Sequence, residues 1–373
     1  MSDTGGTTPW RVVGSSVVGA SHQRSDKPNQ DRIRFPQGQP AAMPLVVALA
    51  DGHGGKAYFR SDRGAEFAVE TALDVCRQLG EKTWETIRDE KIKDTYSREI
   101  YLKWREKVRA DFNANPFSEQ EIAILGKTKG DNSALKTTER KGPKLPDVPS
   151  DDEVTAYGST LIVCVVHDSF ILLLQLGDGN VLFVSPTGEV DRALPKDERN
   201  FGNETTSLCL PEAWTDFRFR LYPLESADAA PALIMLSTDG YANSFAQESG
   251  FEQAGRDFLE MICEHPDGVQ EGIAAIQQAL SGWLGTVSEK GSGDDTTVGV
   301  LCNLDQITRY RNENYEITIT KKIGLPTSTK PAELTELAED TSELATDERR
   351  EPTSSTDPTV ARAEEDDSRI DQL

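Results

Sequence analysis

The sequence predicts an α+β fold of antiparallel strands, and two features carry that prediction. Short apolar runs bounded by turn residues come in consecutive groups, where a doubly wound parallel sheet would alternate them with helices. The helix-like stretches are long, and their apolar residues recur at the spacing of one helical face.

In chain order, the strand candidates are "PLVVALA" (44–50), "TLIVCVV" (160–166), "FILLLQL" (170–176), "NVLFVS" (180–185), "ALIMLS" (232–237) and "TTVGVLC" (296–302). The three residues "HDS" between the second and third predict a hairpin. "NQDRIRF" predicts a further strand just after Asp31. Helices are predicted over 63–80, over the charged stretch 84–112, and over 250–264 and 268–284; the first and last end near glycine. Residues 1–9 are small and polar and predict a loose end, with a globular region from Trp10 to about Ile307. Within it, about 81–152 changes character: charged helices, then "KTKGDNSALKTTERKGPKLPDVPSDDE", which predicts a mobile surface loop over 126–152. An extension over 308–323 leads into Gly324–Leu373, where 14 acids face 5 bases, a net of −9 out of the chain's −23, with almost no large apolar residue. That composition predicts a disordered acidic tail.

The net charge of −23 argues against nucleic acid and against an anionic membrane surface as partners. There is no apolar run of transmembrane length and no basic-then-apolar leader at the N-terminus. Five cysteines without CxxC spacing predict reduced thiols in a cytoplasmic protein and no zinc site; a monomer is expected as well.

One pattern recurs. An apolar run ends in Asp-Gly at Asp51-Gly52, Asp178-Gly179 and Asp239-Gly240; "GSGDDTTVGV" puts Asp294 and Asp295 before a strand, and Asp31 precedes another. Asp-Gly is a common turn pair, and any single copy reads as a turn. Repetition at so many strand ends predicts carboxylates gathered in one small volume, where they would repel one another and raise one another's pKa. A divalent cation removes that conflict. Oxygen ligands without a His or Cys pattern point to a hard ion, Mg²⁺ or Mn²⁺, whose bound water is a nucleophile at neutral pH. A structural calcium protein fits less well, because the single-loop string D-x-D-x-D-G is absent.

"NQDR", "ADGHGG", "GSTL", "LGDGN", "STDGY" and "GDDTTV", in this order over about residues 12–303, resemble the metal-dependent type 2C family of Ser/Thr protein phosphatases. "GASHQRSDKPNQD" resembles its bacterial subgroup. The resemblance implies a four-layer α-β-β-α sandwich of two antiparallel sheets flanked by helices, with a two-metal centre at one end. It implies that Asp51 bridges both ions, the Gly52 carbonyl binds the second, Asp239 and Asp294 bind the first, and Asp178 serves a possible third. Asp31 would support the metal waters, and His53 would protonate the leaving alcohol after in-line attack by a metal-bridged hydroxide. Thr160, in the "GST" turn, would be structural. The implied substrate is a protein phosphorylated on serine or threonine by an opposing kinase.

The chain departs from the family pattern in places. Gln30 stands where many members have Glu, and Asp26 stands at the usual place of the phosphate-binding arginine, which leaves Arg24 as the candidate for phosphate contact. The stretch between Asp178 and Asp239 is short for the family's substrate flap, and the insertion before Gly158 is long. Gln30 and the displaced arginine motivate an alternative: a catalytically weak or inactive module of the same fold that binds phosphoproteins.

Overall fold

A computed structural model describes residues 8–36, 43–131, 151–197, 199, 205–226 and 229–315. Residues 1–7, the loop residues 132–150, the extension from 316 and the whole acidic tail lie outside these.

The strands are β1 (Trp10–Val17), β2 (Asp31–Arg34), β3 (Leu45–Asp51), β4 (Leu161–Val166), β5 (Phe170–Leu176), β6 (Asn180–Val184), β7 (Val190–Arg192), β8 (Arg218–Pro223), β9 (Leu233–Ser237) and β10 (Thr296–Asn303). The helices are α1 (Ala20–Arg24), α2 (Ser61–Cys76), α3 (Trp84–Ile87), α4 (Arg98–Ala114), α5 (Glu119–Asp131), α6 (Asp151–Thr155), α7 (Asp239–Ala242), α8 (Glu248–Glu264), α9 (Val269–Lys290) and α10 (Leu304–Asn314). The strands form two five-stranded antiparallel sheets, ordered β1-β10-β9-β6-β7 and β2-β3-β4-β5-β8.

Alternation along each strand sorts the core into three layers. Leu45, Val47 and Leu49 of β3, Ile162, Cys164 and Val166 of β4, and Ile234 and Leu236 of β9 meet between the sheets. The intervening Val46, Ala48 and Ala50, with Leu161, Val163 and Val165, face outward onto α2 and α4. On the far side Leu233, Met235, Val298 and Val300 face α8 and α9. The central strands are therefore buried on both faces, which is why they read as continuous apolar runs. The architecture is the four-layer α-β-β-α sandwich.

Every strand predicted from an apolar run is present. Helix α5 continues to Asp131, into the start of the stretch read as loop, and α9 runs on to Lys290. The stretch from Leu304, where the globular region was expected to end, folds as α10, with Asn303 accepting from the amides of Asp305 and Gln306 at its start. All five cysteines are free and buried. No helix among the described residues is long and apolar enough to cross a membrane.

Leu49 is fully buried between the sheets. Leu49→Ala is expected to destabilise the chain by about 2–5 kcal/mol in denaturant titration; a loss below about 1 kcal/mol would show that this layer does not hold the sheets together.

Candidate functional site

Antiparallel pairing of β2 with β3 sets Asp31 directly opposite Asp51. Two carboxylates at one cross-strand pair are unfavourable, so the sheet end needs partners for them. For Asp31 they come from the opposite sheet: its Oδ2 accepts from Thr238 Oγ1 at 2.7 Å and Thr297 Oγ1 at 2.8 Å. Its Oδ1 is buried with no hydrogen-bond partner. For Asp51 the partner is Asp239, which follows β9. The two carboxyl groups lie side by side, within reach of each other's charge. The other end of Asp51 is fixed by backbone: its amide donates to Thr160 Oγ1 at 3.0 Å, and its carbonyl accepts from the Thr160 amide at 2.8 Å.

The two adjacent acids just before β10 sit in different environments. Asp295 is buried, and its oxygens accept from the amides of Gly19 at 2.7 Å and Gln30 at 2.6 Å, with His22 Nδ1 2.9 Å away. It clamps α1 and the entry to β2 onto β10. Asp294 has a side chain 53% exposed and faces the acid group. Asp178 is exposed in the β5–β6 turn and, with Asp239, borders a cleft of about 440 Å³ whose walls include Arg192, Arg218 and Glu248.

Crowding and burial move the acids together. Burial, with the Asp295 and Asp239 charges adding, pushes Asp31 up to about 8 against the pull of its two threonines. Burial and then the charge of Asp178 push Asp239 up to about 6. Asp51 is raised well above the ordinary carboxylate range by burial and by Asp31 and Asp239. His53 moves the other way, to about 4, because burial disfavours the imidazolium more than Asp178 favours it.

The loop after Asp51 is held from three sides. The His53 amide donates to Gly158 O at 3.1 Å, and its ring meets Tyr58 edge-on at 4.8 Å. Its carbonyl accepts from Ser61 Oγ at 2.9 Å and Gln30 Nε2 at 3.2 Å. Gln30 Nε2 also donates to Ser61 Oγ, while Gln30 Oε1 is buried and unpartnered. The glycine after each acid answers to packing. A Cβ on Gly52 would lie 2.6 Å from Ser61 O, and one on Gly240 would lie 2.0 Å from Asp295 O.

Among the described residues, no three carboxylates, imidazoles or thiolates close on one point as a ready-made ligand shell. The donor set nonetheless suits a hard divalent cation: Asp51, Asp239, Asp294 and Asp178 offer only oxygen, and Asp31 Oδ1 and Gln30 Oε1 are buried acceptors without donors.

The structure thus brings Asp31, Asp51, Asp239 and Asp294 within mutual electrostatic range, with Asp178 acting on Asp239 and His53. Arg24 is exposed in the last turn of α1, and no hydrogen bond or ion pair joins it to the described residues of this group. Lys27 instead donates from Nζ to Gly54 O at 3.1 Å. Sequence reasoning missed Thr238, Thr297, Ser61 and Tyr58. Thr238 and Thr297 had a signal, a hydroxyl next to or close behind each acidic turn in "STDG" and "DDTT".

The family model described as Protein phosphatase 2C matches residues 18–285. Among solved structures, the chain is similar to the Mycobacterium tuberculosis serine/threonine phosphatase PstP/Ppp, at 13% identity over 79% of this chain and 98% of that one, with a TM-score of 0.43. It is similar to the PstP catalytic domain in complex with two manganese ions, at 16% identity over 79% and 97%, TM-score 0.42. It is also similar to PppA, a regulatory component of T6SS in Pseudomonas aeruginosa, at 13% identity over 79% and 97%, TM-score 0.43. No curated protein matches the chain.

The raised carboxyls fix the sign of a pH effect. From about pH 4 to about pH 8 the folded chain binds more protons at Asp31 and Asp239 than the unfolded chain, so their stabilisation is full at low pH and drains away as pH rises. In chelator, the thermal midpoint is expected to fall by several degrees between about pH 5.5 and 8, and Asp31→Asn is expected to flatten that slope. A midpoint that stays level or rises over this range would show that the acids are not crowded.

Proposed function

The chain belongs to the protein phosphatase 2C family, and on that premise we propose that it hydrolyses phosphoserine and phosphothreonine in proteins, using Mg²⁺ or Mn²⁺ held at the acidic strand ends. One observation carries the reading: Asp51, set opposite Asp31 at the end of one sheet, lies beside Asp239 at the end of the other. Neighbouring carboxyls brought together from two sheets suit a shared divalent cation.

In this reading Asp51, the Gly52 carbonyl, Asp239 and Asp294 would hold the ions. Asp178, exposed at the cleft, offers a third position. Bound there, the ions would activate water for attack on phosphorus and offset charge on the phosphoryl oxygens. The remaining work falls to the chain. Asp31 presents its unpartnered Oδ1 as an acceptor for water, with the two threonines holding its other oxygen. His53 is neutral in the free protein, and an arriving phosphate dianion would draw its proton affinity upward. Taking up a proton from solvent as the imidazolium, it can give that proton to the departing serine or threonine oxygen and return to the neutral form. Lys27 and Arg24 are both exposed, but Lys27 reaches the Gly54 carbonyl beside His53 and is the better candidate for phosphate contact. Gln30, the residue that motivated a non-catalytic reading, braces Ser61 and the His53 carbonyl and so has a structural use that favours neither reading. The substrate is a phosphoprotein, which places the chain opposite a Ser/Thr kinase.

Turnover of p-nitrophenyl phosphate is expected to vanish in chelator and to return with Mn²⁺. Asp239→Asn is expected to lower kcat by about a hundredfold or more while keeping the folded far-UV signature. Undiminished turnover in chelator, or near-normal kcat in that variant, would overturn the assignment. Lys27→Ala is expected to raise KM for a phosphopeptide more than Arg24→Ala does; the reverse order would return the phosphate contact to Arg24.

A further inference from the structure

The charged insertion meets the region around the His53 loop at several points, including Arg63 on Asp111 and Phe59 on Phe117, and the most enclosed of them is the buried cation Arg60. Arg60 directly precedes α2 and is 8% exposed. Its guanidinium is gripped by the insertion: Nε and Nη2 donate to Glu121 Oε1 and Oε2 at 2.9 and 3.2 Å, Nη1 donates to Asn115 O at 2.6 Å, and Cζ lies 4.6 Å from the Phe117 ring centre. Nη1 also donates to Tyr157 Oη at 2.8 Å, and that hydroxyl donates to Asp111 of α4 at 2.6 Å. Glu121 itself is fixed by the Ser118 amide and hydroxyl at the start of α5. A buried guanidinium held by a bidentate carboxylate and carbonyls has one geometry and no spare freedom.

Both chain neighbours of this residue lead to His53. Two positions upstream, the Tyr58 ring packs on the His53 ring; one position downstream, Ser61 Oγ holds the His53 carbonyl. The Arg60 amide donates to Ala156 O at 2.9 Å, and two residues further on Gly158 O accepts the His53 amide. Gly158 has no room for a side chain: a Cβ there would lie 2.7 Å from both the His53 and Tyr58 rings. The loops carrying His53, Tyr58 and Gly158 are thus one packed unit, and the insertion grips that unit at Arg60.

We propose that Arg60 and Glu121 are positioning residues, through which the α4–α5 insertion fixes the orientation of the His53 imidazole. This rests on the reading of His53 as proton donor to the leaving alcohol, and it assigns the insertion a role in turnover that the strand-end acids do not share. Loosening the clamp lets the His53 ring turn away while the acid cluster, anchored on β2, β3, β9 and β10, stays in place. The loss then depends on the leaving group. A serine or threonine alkoxide must be protonated as it departs, whereas p-nitrophenolate leaves without a proton.

The test compares a phosphothreonine peptide with p-nitrophenyl phosphate in the full chain with Mn²⁺. Glu121→Gln is expected to lower kcat on the peptide by about tenfold, within the reach of general-acid catalysis, and to change kcat on p-nitrophenyl phosphate by less than about twofold. Arg60→Met is expected to do the same or more, and Glu121→Asp, which keeps the charge, to recover most of the peptide rate. Equal losses on the two substrates, or unchanged rates on both with only a lower thermal midpoint, would reduce the clamp to packing and overturn the proposal. Glu121→Gln removes one partner at the edge of the insertion, so it reads out even where Arg60→Met fails to fold. Absence of Mn²⁺-dependent turnover in the unaltered chain would be a different result: it would overturn the phosphatase reading, and this inference with it.

Discussion

Like charge drawn into one place is the constraint around which this molecule is arranged. Asp31 and Asp51 face each other across a strand pair, and Asp239 and Asp294 come to the same end from the other sheet. Neighbouring carboxylates raise the free energy of a fold unless something neutral or positive intervenes. Here the answers are local: two threonine hydroxyls on Asp31 and two backbone amides on Asp295. Each of these links also crosses between elements, so the conflict and the sandwich closure are solved by the same contacts.

Asp294 and Asp295 show how environment separates residues of one type. Asp295 is buried with its acceptors engaged, and it ties α1 and β2 to the start of β10. Its neighbour is half exposed and turned toward the other acids. The first holds the frame, while the second stays half exposed with one oxygen accepting from the Asp295 amide at 2.9 Å. The same division runs through the "ADGHGG" stretch, where Gly52 is demanded by the nearby Ser61 carbonyl and His53 is set by three unrelated segments.

Much of the fold was readable from the chain because strands buried on both faces leave no polar gaps: β3, β4, β5, β6, β9 and β10 are near-continuous apolar runs. The strands that were missed carry a different signature. β1 contains "GSS" and exists through its pairing with β10 at the far end of the chain, and β8, "RFRLYP", is a half-exposed edge with two arginines. Helix α10 is short and strongly charged, and it depends on the Asn303 cap and on burying Ile307 and Tyr310. At the site, the acids stood out because Asp-Gly recurs after apolar runs. Ser61 did not, and the hydroxyls of Thr238 and Thr297, though close to acidic turns, take their meaning only from Asp31 across the sheet. Arg60 was invisible for the same reason: its partners lie more than fifty residues away, in a segment whose charge reads as a solvated surface.

The account turns on Asp51 and Asp239 acting as ligands to a common ion. Diffraction from crystals grown with Mn²⁺, using its anomalous signal, tests that directly. The expected result is a strong peak between the two carboxyl groups, with Asp294 drawn in. Crystals at saturating Mn²⁺ that show no peak there would contradict it.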